Sequence, residues 1–117
     1  MTDEQKAALA AQNEVDAPLA LVHLASPLHN WHWYLYAGKA VGEDFLADAF
    51  VCGDELEYGC VSLHELESVT GSGRVFLDDD WEPLPIAEQA QRLNEAYESD
   101  SAFKPWYHHP KASQPTA

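Results

Sequence analysis

Acidic side chains are concentrated in the middle of this 117-residue chain. Between residues 43 and 88 there are thirteen Asp or Glu residues and one basic residue, Arg74, so this segment has a net charge of −12 out of −14 for the whole chain. Acidic side chains at this density repel one another, which destabilises a compact fold. Such a charge commonly keeps a protein soluble or attracts a cationic partner. Carboxylates can also imitate the phosphates of a DNA duplex, which carries one charge per ~1.7 Å of its axis. The net charge of −14 therefore corresponds to about 24 Å of duplex.

The acids that we predict to contact a basic partner lie near predicted turns and around a short predicted helix. We predict that they steer association and displace DNA or guide RNA from the partner. An ordinary acidic, solvated surface is the alternative. The predicted contact residues are Asp54, Glu55, Glu57, Glu65, Glu67, Asp78, Asp79, Asp80 and Glu82, with Trp106 as an aromatic anchor.

The three consecutive aspartates at residues 78–80 could also suggest calcium. An EF-hand loop requires Gly at its sixth position and Glu at its twelfth. Counting from Asp78, those positions hold Pro83 and Gln89. The match fails, and a solvated loop is the better interpretation.

The six histidines do not form a zinc pattern. His64 begins like a zinc-protease helix, but Ser68 occupies the position of the second histidine. His29 and His32 span a predicted turn into a strand, so their rings need not converge. Structural zinc requires four converging ligands, and we therefore predict no metal and no cofactor.

Patterns typical of nucleophilic catalysis are also missing from the sequence. There is no G-x-S-x-G elbow, no glycine-rich phosphate loop and no cysteine with an evident activating base. Glu65 and Glu67 are two residues apart, and helical residues at that spacing point to different sides. We therefore predict that the protein is not an enzyme.

The composition predicts a folded domain in a reducing cytoplasm. Hydrophobic residues make up 46% of the chain and thirteen residues are aromatic, which is too apolar for a disordered acidic chain. With two cysteines, Cys52 and Cys60, and no apolar export segment, we expect the bacterial cytoplasm. The two cysteines could approach each other if they lie on neighbouring strands. Neither a membrane span nor direct binding of nucleic acid is expected.

Hydrophobic patterning predicts the elements that position these residues. Alternation in residues 31–36 places Trp31, Trp33 and Leu35 on one face of a strand. Other strands are predicted at 19–24, 45–52, 57–61 and 74–77, with turns at residues 27–30, between Gly38 and Gly42, and at 53–54.

Helix signals complete the prediction. Ser62 and Glu65 have the spacing of a reciprocal capping box, and residues 85–97 carry an apolar stripe that starts after Pro85 and includes Tyr97. A short, frayed helix is predicted at residues 3–12.

The predicted fold class is α+β, a mostly antiparallel sheet of four to five strands with two short packed helices. We predict a polar N-terminal segment (1–17), one domain (18–107) and a flexible tail (108–117).

The sequence from Glu55 to Glu67 resembles a family motif. Its Gly59–Glu67 portion fits the pattern Gly-x-(aromatic or Val)-Ser-Leu-x-Glu-Leu-Glu of small proteins carried on plasmids, conjugative elements and phages. The tryptophan-bearing strand at 31–36 and the acid-aromatic-x-Pro run at 80–83 are similar to two further features of that family. The resemblance covers about residues 19–97; the N-terminal helix and the aromatic tail depart from it.

The resemblance implies a genetic context and no particular activity. Genes of this kind travel with antirestriction and other counter-defence genes. We therefore predict an acidic inhibitor that mimics nucleic acid and blocks a CRISPR effector or a restriction enzyme. The alternative is a non-mimic adaptor or regulatory module held to its partner by Trp106 and Tyr107.

Overall fold

The α+β class is confirmed by the computed structural model, which describes residues 1–99. Three helices surround two antiparallel sheets. The elements are α1 (Asp3–Ala10), β1 (Leu19–Ala20), β2 (Val22–Ser26), β3 (Trp31–Val41), β4 (Asp44–Cys52), β5 (Leu56–Ser62), α2 (Leu63–Ser68), a 3-10 turn (Gly71–Gly73), β6 (Phe76–Leu77), β7 (Leu84–Pro85) and α3 (Ile86–Ser99).

Five strands form the main sheet in the order β5-β4-β3-β2-β6, and β1 pairs with β7 in a separate ribbon. All of these pairings are antiparallel. Strands β2, β3, β4 and β5 follow one another as hairpins, so neighbours in sequence are neighbours in space. The predicted turn at residues 27–30 is confirmed, with Asn30 at a positive φ of 58°.

Three predicted strand boundaries are wrong. The strand at 19–24 is divided at Leu21 into β1 and β2, and the strand at 74–77 contains only two paired residues. Strand β3 continues beyond Tyr36 through a bulge to Val41, so Gly38 lies within the strand. A side chain at Gly38 would overlap the ring of Phe45, so this glycine permits close packing rather than a turn.

Both faces of the main sheet are covered, because β3 alternates large apolar side chains between them. Trp33 and Leu35 join the first core, beneath α1 and α2, while Tyr34 joins the second core, beneath α3. The other fully or nearly fully buried members are Leu9, Val22, Leu24, Phe45, Ala47, Ala49 and Leu63 in the first core, and Ala20, Phe50, Cys52, Trp81, Ile86, Ala90 and Leu93 in the second.

The N-terminal helix is docked on the sheet, contrary to the expectation of a frayed segment. Its capping box is complete, since Thr2 Oγ1 accepts from the Gln5 N–H and Gln5 Oε1 accepts from the Thr2 N–H. Leu9 has no exposed surface and packs in the first core. Gln12 binds the backbone of Leu19 through both ends of its amide. One well-placed leucine thus anchors a helix that is otherwise mostly polar or alanine.

Helix α3 closes the second core. Ile86, Ala90 and Leu93 are buried as the apolar stripe predicted. Pro85 belongs to β7 rather than to the helix, and Tyr97 is 48% exposed because the stripe leaves the sheet before the last turn. None of the helices within residues 1–99 is both long enough and apolar enough to cross a membrane.

Candidate functional site

The predicted acidic contact residues lie in three parts of the fold. Asp54, Glu55 and Glu57 occupy the β4–β5 turn and the edge strand β5, and Glu65 and Glu67 lie on α2. The remaining four, Asp78, Asp79, Asp80 and Glu82, follow β6 at the opposite edge. Four strand spacings of ~4.8 Å separate the two edges by about 19 Å. Trp106 lies outside the described residues.

Two of the predicted contact carboxylates are engaged within the fold. Asp78 Oδ2 lies 2.8 Å from His23 Nδ1, and Asp78 Oδ1 accepts a hydrogen bond from the Asp80 N–H. Glu67 binds the amino group of Met1 at 2.9 Å. By contrast, four exposed side chains form no ion pair with any group in residues 1–99: Asp54, Glu55, Glu57 and Glu65.

A groove at the β4–β5 turn brings three of these carboxylates beside an aromatic ring. Its rim carries Asp54, Glu55 and Glu57, and its remaining lining consists of Trp31, Val51 and Gly53, around a volume of about 360 Å³. The groove exists because the chain turns back at Gly53 while Trp31, on the adjacent strand β3, stands half-buried beside it. Carboxylates next to an aromatic face can hold a cation by charge and by cation–π attraction.

The Trp31 ring is fixed in position by its neighbours. A Cβ built on Gly53 would lie 2.5 Å from ring atoms of Trp31, so only glycine allows this approach. On the adjoining position of the same face, the Trp33 ring lies 6.0 Å away between centroids. The indole is therefore a rigid wall of the groove.

Trp31 also lines a second, apolar cavity. This cavity has a volume of about 210 Å³ and is bounded mainly by Trp33, Leu66, Val69 and Val75. His29 lies on its border, near Gly73. The same indole thus lines both an acidic groove and an apolar cavity.

A buried polar chain under the second core was not predicted. His23 Nε2 lies 2.7 Å from His32 Nδ1, and His23 Nδ1 faces Asp78, which makes a continuous Asp–His–His chain. The rings of His23 and His32 lie nearly in one plane, at an angle of 6°, as a hydrogen bond between ring nitrogens requires. The Tyr34 ring is stacked on that of His23, at 7° and with 4.7 Å between centroids. The indole N–H of Trp81 donates to the Ala20 carbonyl at 2.7 Å. This chain connects Asp78 to the sheet and thereby fixes the start of the acidic loop.

The register of the first hairpin could have indicated this cluster. With a turn at residues 27–30, Ser26 pairs with Trp31, so His23 faces Tyr34 and lies diagonally beside His32. His29 instead borders the apolar cavity on the opposite face, so His29 and His32 do not converge. Within residues 1–99, no group of three or more His, Cys, Asp or Glu side chains is placed to hold a metal ion.

Burial suppresses ionisation at the two groups nearest this cluster. It raises the pKa of the Tyr34 hydroxyl well above its ordinary value, and the Cys52 and Asp78 side chains raise it further. Burial also raises the pKa of the Cys52 thiol. Cys60 is exposed and pairs with Asp48, four residues from Cys52 along β4, or about 14 Å. The expectation that the cysteines approach each other is therefore wrong.

Asp44 organises the start of α2, a role that the sequence did not indicate. Its Oδ2 accepts from the Ser62 hydroxyl at 2.5 Å, and its Oδ1 accepts from the backbone N–H groups of Phe45 and His64. These hydrogen bonds lower the pKa of Asp44. Ser62 Oγ accepts from the Glu65 N–H, but the reciprocal bond of a capping box is not formed, because Ser62 also belongs to β5.

Comparison of the chain with protein-family models, with curated proteins and with solved structures finds no match.

Proposed function

We propose that this protein is an acidic inhibitor that binds the basic nucleic-acid channel of a bacterial defence complex. The observation that carries the proposal is uncompensated negative charge on a well-packed fold. Residues 1–99 contain nineteen acidic and four basic side chains, a net charge of −15. Four exposed carboxylates, at residues 54, 55, 57 and 65, have no ion pair within that part of the chain.

The placement of the charge favours an enclosed partner surface over a flat one. Exposed carboxylates lie at both edges of the sheet, on β5 and after β6. A channel that surrounds a duplex or a guide strand presents basic side chains from more than one side, so both edges would find partners. Field lines concentrated by such a channel accelerate association by 10- to 1,000-fold, roughly. The proposed role of the carboxylates is thus steering followed by displacement of nucleic acid.

The resemblance to proteins of plasmids, conjugative elements and phages suggests the class of partner. Mobile elements must survive host nucleases, and CRISPR effectors and restriction enzymes are host nucleases that bind nucleic acid through basic side chains. The buried Asp–His–His chain supports a structural role for Asp78, which leaves Asp79 and Asp80 as the exposed acids of that loop.

A competition assay tests the proposal. Labelled DNA is bound to a purified CRISPR effector or restriction enzyme, and the full-length protein is added at about 0.1 M and 0.5 M salt. We expect displacement of DNA at low salt and strong weakening at high salt, since the Debye length falls below the ~8 Å of physiological ionic strength. The proposal would be contradicted if the displacement of DNA did not depend on the salt concentration, or if the protein displaced no DNA from any enzyme of a panel of CRISPR effectors and restriction enzymes.

A further inference from the structure

The indole of Trp31 is a wall common to two cavities of opposite character. Asp54, Glu55 and Glu57 rim the first, whereas aliphatic and aromatic side chains enclose the second. A guanidinium group is suited to the first, because it stacks on aromatic rings and binds carboxylates through paired hydrogen bonds. The second cavity is suited to an aliphatic side chain, whose burial is favourable in proportion to the apolar area removed from water.

We propose that this two-part groove binds an extended, basic segment of a partner protein in which an arginine lies two residues from an aliphatic side chain. In an extended chain, residues two apart point to the same side and are about 7 Å apart. That spacing would let one side chain enter each of the two cavities that Trp31 lines. The inference depends on the proposed function in one respect, namely that the partner is basic.

Charge restricts the occupant of the groove to a cationic protein segment. Three exposed carboxylates without ion pairs in residues 1–99 repel phosphate, so neither a nucleic acid nor an anionic lipid suits this surface. A second copy of the chain, with the same net charge of −14, is disfavoured as well. The groove is also preorganised, because Gly53 and Trp33 hold the Trp31 ring, so binding loses little side-chain entropy there.

A peptide titration of the full-length protein tests the assignment. The probe is acetyl-Gly-Leu-Ser-Arg-Ser-Leu-Gly-amide, which presents the same spacing in either chain direction. In ¹⁵N–¹H NMR spectra we expect shifts of the Trp31 indole and the Gly53 amide, and none of the buried Trp81 indole. Replacing the arginine by citrulline, which has nearly the same shape but no charge, should weaken binding at least ~10-fold. Replacing both leucines by serine should weaken it at least ~5-fold.

Two variants that remove the same charge distinguish peptide binding at the groove from attraction by the net charge of the whole protein. Asp54→Asn, Glu55→Gln and Glu57→Gln together should weaken the peptide at least ~10-fold. The control, Asp79→Asn, Asp80→Asn and Glu82→Gln, removes the same charge at the opposite edge and should change affinity less than ~3-fold. All six positions are exposed, so both variants should keep the fold, which circular dichroism verifies.

Each outcome either supports or overturns the assignment. Equal weakening by the two triple variants would show that binding follows net charge, and would overturn the groove while leaving the proposed inhibition intact. If replacing both leucines of the peptide by serine did not change its affinity, the two-part arrangement of the groove would be overturned. Specific peptide binding without any displacement of DNA from nucleases would support the groove and contradict the proposed inhibition instead.

Discussion

Replacement of Leu9 by alanine tests whether α1 is part of the folded core. Leu9 has no exposed surface and packs in the first core. The change removes three carbon atoms from that environment, which costs about 2.4 kcal/mol at ~0.8 kcal/mol for each buried CH₂. The cavity left behind raises the expected cost toward about 5 kcal/mol. For a chain of this size, the melting temperature should fall by at least about 7 °C.

If only local helix stability mattered, Leu9→Ala would change the stability of the protein in the opposite direction, so the experiment distinguishes a docked helix from an undocked one. Alanine is the best helix former, so in an undocked helix Leu9→Ala would be neutral or slightly stabilising. Urea denaturation of the full-length protein provides the free energy of unfolding, with Leu28→Ala as the control. Leu28 is 62% exposed, so its truncation should change stability by less than about 0.5 kcal/mol. A Leu9→Ala effect as small as that of the control would refute the docking of α1.

Three further predictions follow from the hydrogen bonds and the ionisable groups. Gln12→Ala removes three hydrogen bonds to the backbone of Leu19 and Tyr36 and should lower the free energy of unfolding by about 1–3 kcal/mol in urea titrations; unchanged stability would show that these bonds do not stabilise the fold. Because burial raises the pKa of Cys52, the folded state keeps a thiol proton that the unfolded chain loses above pH ~8.5. Stability should therefore fall by up to ~1.4 kcal/mol per pH unit above that value; Cys52→Ala should reduce this slope, and Cys60→Ala should not. Since hydrogen bonds lower the pKa of Asp44, its contribution to stability should be complete above its ordinary pKa of ~3.9 and disappear as pH falls through the lower folded value. The difference in melting temperature between the native chain and Asp44→Asn should shrink between pH 5 and 2. The control variant is Asp16→Asn. A difference for Asp44→Asn that stays constant over this pH range, and is as small as the difference for the control, would contradict the prediction.

Local patterns were sufficient to predict much of the fold. The alternation in residues 31–36 correctly assigned Trp33 and Tyr34 to opposite faces, because strand geometry imposes a period of two on any sequence. The Ser62 cap was predicted from residues three apart, and the buried stripe of α3 from the 3.6-residue period of a helix. Each of these signals lies within about one turn or one hairpin of the chain.

The features that escaped prediction depend on contacts between distant residues. Asp78 and His23 are 55 residues apart, and Asp44 reaches Ser62 across 18 residues. Helix α1 looked marginal because its own composition buries little, and only the sheet beneath it explains why Leu9 is covered. The groove was missed for a similar reason: the acids of the β4–β5 turn were recognised, but their proximity to Trp31 requires the sheet order.

The alternation of β3 has a consequence for how the molecule loses its structure. Consecutive residues of this one strand belong to different cores, with Trp33 in the first and Tyr34 in the second. Detaching β3 to open either core would expose the other at the same time. Unfolding of β3 therefore disrupts both hydrophobic layers together, and damage that loosens this strand from one side of the sheet also lowers the stability of the opposite side.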